Sequence, residues 1–451
     1  MTTIDDSVDI RAKAAGFVRA KASDFHGRRV IVVDAQNGDD AGALTPSDGH
    51  TIAAAARYAL DQRLPLVIRL ASSGADLREG VAALDGWGGA AREMTRCSGV
   101  IPSVVIVCGP TVSGPALMLG LADVVIMVDE SYAFVSGPVM VEQFTGVPIG
   151  SAELGGAAVH GRTSGVATLV AADLEEAEAL AAEVLAFLPD HTDDPAPAVA
   201  CNDPVDRPTP EAYAVLPESA NGSYDCRDVL AAIVDDGHLL ELHTDWAANL
   251  VTAFARIGGR PIGIVANQPQ TIAGTLNITA SRKGARFVAL CDAFNLSILT
   301  VVDTSGFYPG KDLEWRGMIR YGAQMAFAYA RATVPRVNVT TRKSYGGAYI
   351  VMDSKRMGND MALAWPSAEI AVMGAKGAVE ILHRGATAEE REELQAGYEE
   401  RLLNPYIAAE RGTIDAVIDP ADTRAEIHAA LEMLAGKRER LPRRRHDNTP
   451  L

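Results

Sequence analysis

The chain repeats itself once, and this constrains its fold more than any other feature of its 451 residues. GRRVIVVDAQ begins at Gly27, and GRPIGIVANQ begins at Gly259, 232 positions later. RLPLVIRLASSG ends at Gly74 and NLSILTVVDTSG at Gly306, again 232 apart. VIPSVVIVCGPTVSG ends at Gly114 and TVPRVNVTTRKSYGG at Gly347, 233 apart. Three landmarks that keep register to within one residue mark the duplication of one unit.

Both copies run in the same order. A β-branched run (Val30–Val33; Ile262–Ala266) predicts a buried strand, and a helical stretch follows (Asp48–Gln62; Ser281–Phe294). A second strand (Leu66–Leu70; Ser297–Val302) ends in a small-residue turn. After another helix, a third strand (Val104–Val107; Arg336–Thr340) runs into a glycine-bearing turn, and a fourth is expected at Val124–Val128 and Glu369–Met373. Strands alternating with helices predict an α/β fold with largely parallel pairing and right-handed crossovers. Pro189–Gly222 is rich in proline, aspartate and small residues and reads as a linker. The boundary is expected near residue 215, which gives domains 1–215 and 216–451.

Composition narrows the function classes. With 48% apolar and 22% charged residues the chain is globular. The start MTTIDDSVDI has neither a basic nor an apolar leader segment, so no secretory signal is expected. Runs such as Val104–Cys108 are too short to span a bilayer. Five scattered cysteines (97, 108, 201, 226, 291) without a CxxC pair read as reduced thiols in a cytoplasmic protein, not as a disulfide framework or a zinc site. A formal charge of −17 argues against binding nucleic acid. The basic cluster Lys437, Arg438, Arg440, Arg443, Arg444 and Arg445 reads as a solvated tail or a subunit contact.

The strand-to-glycine turns are where chemistry is expected. At Thr111–Pro115 (TVSGP) and Ser344–Tyr349 (SYGGAY), small residues end an apolar strand just before a helix. Such turns aim backbone N–H groups at a point beyond the strand end. There they stabilise an oxyanion, and one donor of this kind contributes roughly 3–4 kcal/mol. One such turn alone would read as a tight turn needing positive φ; two at equivalent places favour function. No GxSxG elbow, P-loop, HExxH or dinucleotide fingerprint is present. The nine histidines do not cluster, and His160 and His383, the two beside glycine-rich segments, read as core hydrogen-bonders. Asp303 and Glu79 read as helix caps. Tyr345 and Tyr349 flank the second glycine pair and could line a pocket or simply pack.

These segments resemble a known family. GPTVSGPALMLGLADVVIMVDESYAFVSGPVMVEQFTG (109–146) and ELGGAAVHGRTSGVA (153–167) are similar to acyl-CoA carboxylase β subunits. RPIGIVANQP, ITASRKGARFVALCDAFN, TRKSYGGAYIVM, LAWPSAEIAVMGAKGAVEIL and NPYIAAERGTIDAVIDP are similar to the propionyl-CoA carboxylase β-chain type. The resemblance implies two tandem crotonase-like (ClpP/crotonase ββα-spiral) domains. It implies acyl-CoA on the N-terminal domain, carboxybiotin on the C-terminal one, and a site formed between protomers of a homo-hexamer (a trimer of dimers) or a mixed β assembly. The activity implied is carboxyl transfer from carboxybiotin to the α-carbon of an acyl-CoA (acetyl-, propionyl- or a less usual one), with two oxyanions stabilised. The family motifs carry over onto Ser113 and Gly114 for one oxyanion and Gly347 and Ala348 for the other. Gly74, Ala75, Gly137, Gly346, Tyr349, Ile350 and Gly374 are implied as substrate-binding.

The chain contains neither a biotin-accepting Met-Lys-Met segment nor an ATP-grasp-like glycine loop. A biotinylated carboxylase α subunit is therefore expected as partner, with biotin and acyl-CoA as the groups handled and no metal held by this chain. Four departures from the family stand out. The chain starts several dozen residues later than its relatives, so CoA or assembly contacts there are expected to differ. Ser113 and Pro115 flank Gly114, where the family commonly has glycine at 113. Asp76 replaces a basic residue after Gly74-Ala75. Ile350 follows GGAY, where propionyl-CoA carboxylases commonly have aspartate. The alternatives are a biotin-dependent acyl-CoA decarboxylase subunit running the same transfer backwards, a crotonase-type hydratase or isomerase, and a non-catalytic scaffold paralogue.

Overall fold

The β-branched runs nucleate two sheets of the same topology, one in each half of the chain. A computed structural model describes residues 8–12, 15–36, 38–219, 222–437, 439–443 and 445–450. The chain divides into two compact units, Met1–Pro197 with His243–Trp246, and Ala198–Leu242 with Ala247–Leu451.

The first unit carries β1 (Val8–Asp9), β2 (Arg19–Phe25), β3 (Arg28–Ala35), β4 (Leu66–Ser72), β5 (Ser103–Val112), β6 (Val124–Val128), β7 (Tyr132–Phe134) and β8 (Leu169–Ala171). Their order is β1-β2-β3-β4-β5-β6-β8, with β7 beside the end of β5. β2 and β3 form an antiparallel hairpin, and from β3 onward the pairing is parallel. Val30, Ile31, Val33, Leu66 and Leu70 are fully buried, as a central strand of a covered parallel sheet requires. The helix Pro46–Gln62 starts on a capping box between Thr45 and Asp48, with proline in its first turn. It lies against the helix Val81–Cys97, where Gly49 meets Gly86: a Cβ on Gly49 would lie 2.1 Å from the Gly86 carbonyl carbon.

The second unit repeats this with β9 (Leu240–Leu242), β10 (Leu250–Ile257), β11 (Arg260–Asn267), β12 (Ser297–Thr304), β13 (Arg336–Tyr345), β14 (Met361–Ala364), β15 (Glu369–Ala371) and β16 (Ala416–Val417). The order is β16-β14-β13-β12-β11-β10-β9, with β15 beside the end of β13. The duplication reaches single hydrogen bonds. The β4–β5 ladder shifts register before Ser72↔Thr111, and the β12–β13 ladder before Thr304↔Ser344. The bridge Leu44↔Ala75 recurs as Leu276↔Phe307. Ser72 Oγ accepts from Gly74 N at 3.1 Å, and Thr304 Oγ1 accepts from Gly306 N at 3.3 Å.

Two expectations need correction. The fourth strand of the second copy is β14, which pairs with β13 as β6 pairs with β5; Glu369–Ala371 is instead the counterpart of the small strand β7. The apolar run MALA is only four residues long and carries little periodic signal. The boundary lies near 197, not 215. Residues after 197 are fastened to the second unit: Val199 N donates to Gly259 O at 3.0 Å, and Arg424, fully buried, donates to Pro204 O at 3.0 Å and Asp235 Oδ1 at 2.6 Å.

Candidate functional site

In the first unit the turn after β5 is built around a strained residue. Ser113 has φ 62 and ψ −143, a conformation that suits glycine, and Gly114 opens the 3-10 helix Gly114–Leu121. The small strand β7 explains how the turn is held, because Ser113 N donates to Phe134 O at 2.9 Å. The Ser113 N–H, expected as an oxyanion donor, is thus already engaged. Gly114 N, at the first helical position, has no acceptor within its own helix.

The Gly74 turn lies against this one: a Cβ on Gly74 would stand 3.3 Å from Ser113 Cβ. Gly74 has φ 114, and its carbonyl accepts from Leu44 N at 2.8 Å, while Ala75 bridges Leu44. Gly114 is covered by half-buried Trp87. A Cβ there would meet Trp87 Cζ2 at 2.5 Å, and the buried indole N–H has no acceptor among the described residues. Gly137 caps the helix Pro138–Thr145 and lies beside the Phe134 ring. The acidic residue at 76 does not leave the turn negatively charged. Asp76 caps Arg78 N at 2.9 Å and takes the Arg78 guanidinium on both oxygens. Those Arg78 bonds hold its carboxyl below the usual carboxylate range.

In the second unit Gly346, φ 61, opens the helix Gly346–Val351. The N–H groups of Gly347 and Ala348 lie in its first turn, where no intrahelical acceptor exists. Gly347 is exposed and packs beside Phe307, and Ala348 is buried. Tyr345 donates its hydroxyl to Glu369 across the β13–β15 pair, and its ring lies against Gly374, the cap of the helix Ala375–Leu382. Burial first, and the hydrogen bond to Glu369 second, push the Tyr345 phenol well above its usual range, so it stays a donor.

Tyr349 packs against the cluster of Ala362, Ala364 and Ile370, with its hydroxyl buried and without a partner among the described residues. Its ring is thus part of the packing. Ile350 is 37% exposed on the same helix.

Asp303 is not a cap. It is buried and accepts from Arg342 Nε at 2.7 Å and from Lys343 N at 3.2 Å, and Arg342 lies over the Tyr224 ring. A cleft lined by Arg342, Lys343, Ser367, Glu369 and residues 213 and 216–218 opens beside these groups. Glu79 ends a short 3-10 turn that Asp76 caps. His383 is exposed at a helix end, so its ring is no core hydrogen-bonder, whereas His160 bonds Ala133 O and Ser164 Oγ, both at 2.7 Å.

Within each unit the structure therefore gathers the expected turn residues: Gly74, Ala75, Ser113, Gly114 and Gly137 in the first, and Gly346, Gly347, Ala348, Ile350 and Gly374 in the second. Sequence reasoning missed Trp87, Phe134, Phe307 and Glu369. Trp87 sits in the GWGG stretch, and that aromatic between small residues was the available signal. Of the basic tail, Lys437 packs on Asp360 at 2.8 Å, while Arg438 and Arg444 lie outside the described residues. Among the described residues no helix is long and apolar enough to cross a membrane, and no group of three His, Cys, Asp or Glu could hold a metal ion.

Comparison with known proteins gives concordant findings. A family model described as a carboxyl transferase domain matches residues 14–449. The propionyl-CoA carboxylase beta chain of Saccharopolyspora erythraea is 44% identical over 444 residues, covering 94% of this chain and 81% of its own. Methylmalonyl-CoA decarboxylase subunit alpha of Veillonella parvula is 41% identical over 413 residues, covering 91% and 81%. A crystal structure of the transcarboxylase 12S hexamer, with hydrolysed methylmalonyl-coenzyme A bound, superposes with a TM-score of 0.95 at 38% identity, covering 99% of this chain and 90% of that one.

Proposed function

This chain belongs to the carboxyl transferase domain family, and from that premise we infer that it is the carboxyltransferase subunit of a biotin-dependent acyl-CoA carboxylase. Its partner is a biotinylated carboxylase subunit, and the hexamer of its 12S relative is the assembly expected of it. Carboxybiotin supplies the carboxyl group and, after its release, the base that takes the α-proton of the thioester.

What this chain contributes is electrostatic. Deprotonating the α-carbon puts negative charge on the thioester oxygen, and releasing the carboxyl group puts it on the ureido oxygen. Each charge needs fixed donors that do not reorganise during the reaction. The observation that carries the assignment is the pair of turns after β5 and β13, at one register of a duplicated fold. We assign Gly114 N, within the Ser113 turn, to the thioester oxygen. Gly347 N and Ala348 N are assigned to the ureido oxygen. Ser113 serves by shape, since its own N–H is bound to Phe134. Gly74, Ala75 and Gly137 then line the acyl-CoA side, and Gly346, Ile350 and Gly374 the donor side. Ile350 adds an apolar, part-exposed side chain to that donor side.

All five cysteines are free thiols, three of them buried, which fits a reducing cytoplasm. The likeness to a decarboxylase subunit keeps the reverse direction as a second reading. The test is transfer in a mixture of this protein, a biotinylated carboxylase subunit, ATP and bicarbonate, with acyl-CoAs of graded length. Product from any acyl-CoA supports carboxylation. Carboxybiotin formed only from a carboxylated acyl-CoA supports the reverse.

A further inference from the structure

β7 is three residues long and is held from both edges. On one edge Thr111 and Val112 of β5 pair with Ala133 and Phe134, and Phe134 O takes the Ser113 N–H at 2.9 Å. On the other edge Ala133 O lies 2.7 Å from His160 Nε2. A carbonyl can only accept, so Nε2 carries the hydrogen; Nδ1 lies 2.7 Å from Ser164 Oγ, from which it accepts in the neutral ring. Histidine and serine meet because residues 160–164 form a single π turn, closed by Gly165 at φ 69. Single π turns of this kind concentrate at functional positions. The space is tight: a Cβ on Gly155 would lie 2.1 Å from Ala133 O and 3.3 Å from His160 Nε2.

We infer that His160 is a positioning residue for the acyl-CoA turn, acting through Ala133 and Phe134 to hold Ser113 and so to aim the Gly114 N–H. The inference rests on the function proposed above. Ser113 sits at a φ of 62 that a non-glycine residue leaves unless its surroundings hold it. Rotation of Ser113 toward negative φ swings the next peptide plane, and with it the donor on Gly114. A strap of three residues gives the turn one hydrogen bond, and His160 stops that strap from moving away. His160 touches no substrate in this account.

The test compares wild type with His160→Ala, His160→Gln and Ser164→Ala in the reconstituted system. A glutamine amide can still donate to Ala133 O. His160→Ala is expected to lower kcat for transfer to acyl-CoA by about 10²-fold, the scale of a small misplacement of a reacting group. His160→Gln should recover most of this, and Ser164→Ala should fall between. The KM for the biotin carrier, and the loss of carboxyl group from carboxybiotin without acyl-CoA, should stay at wild-type values. Hydrogen exchange of the peptide spanning Thr111–Pro115 supplies a readout free of substrate. It should quicken in His160→Ala and return to the wild-type rate in His160→Gln. Unchanged exchange in His160→Ala, or glutamine no better than alanine, overturns the inference whatever the activity. Absence of transfer by the wild type to every acyl-CoA counts against the functional assignment instead.

Discussion

Ser113 and Gly346 hold the same φ, 62 and 61, at equivalent points of the two units, yet only one of them is glycine. The first unit therefore carries backbone strain that the second avoids. Ser113→Gly should relieve it and raise stability by about 1 kcal/mol, net of the freedom glycine adds to the unfolded chain. Gly346→Ala should lower stability by about 1–2 kcal/mol; its Cβ would also approach Val372 O to 3.2 Å. Urea midpoints of the two variants, moving in opposite directions, check both.

Gly114 has no room for a side chain under Trp87. In Gly114→Ala the added Cβ, 2.5 Å from Trp87 Cζ2, must displace the indole or the turn. The expected result is a 10–100-fold lower kcat/KM for acyl-CoA, with a shifted tryptophan emission maximum. The double variant Gly114→Ala/Trp87→Ala should recover part of the loss, since it removes the clash.

The bond between Tyr345 and Glu369 ties β13 to β15 just before the Gly346 turn. Tyr345→Phe leaves the Glu369 carboxylate without that donor and is expected to slow release of the carboxyl group from carboxybiotin by roughly 10-fold, the scale of one hydrogen bond to a charged group. The KM for acyl-CoA should not change. Steady-state kinetics with either substrate varied separates the two constants.

Much of this was legible before the fold was known. Register between Gly27 and Gly259, Gly74 and Gly306, and Gly114 and Gly347 placed both copies and both turns, because short parallel strands with conserved spacing leave little freedom. What was not legible depends on partners distant in sequence. Whether the Ser113 N–H is available is decided by Phe134, in a three-residue strand too short for any periodic signal. Asp303 read as a cap because it ends a strand; its partner Arg342 lies 39 positions away on the neighbouring strand. The segment after 197 read as linker from its composition, but Val199 and Pro204 are tied down by Gly259 and Arg424.

Lys283 gives a pH signature. It is 2% exposed on the helix Ile278–Ala293, and burial pulls its ammonium pKa down from 10.5 to about 7. The unfolded chain keeps this proton up to its ordinary pKa, so above pH 7 it binds more protons than the folded chain. Stability from this group therefore rises with pH from about 7 to about 10, and is flat below 7, where both states are protonated. Lys283→Met should remove that slope from the difference between the two proteins' unfolding free energies, measured by urea titration at pH 6, 8 and 9.

Carboxyl transfer by this chain, measured with a biotinylated carboxylase subunit, ATP, labelled bicarbonate and a panel of acyl-CoAs beside Gly114→Ala and Gly347→Pro, tests the assignment of the two turns. Gly347→Pro removes one assigned donor N–H. Labelled carboxyacyl-CoA is expected with the wild type, loss of acyl-CoA carboxylation without loss of carboxybiotin discharge in Gly114→Ala, and loss of both in Gly347→Pro. Carboxylation at the wild-type rate by folded protein of either variant would contradict it, as would no transfer by the wild type with a carboxylase subunit proven competent beside a working β chain.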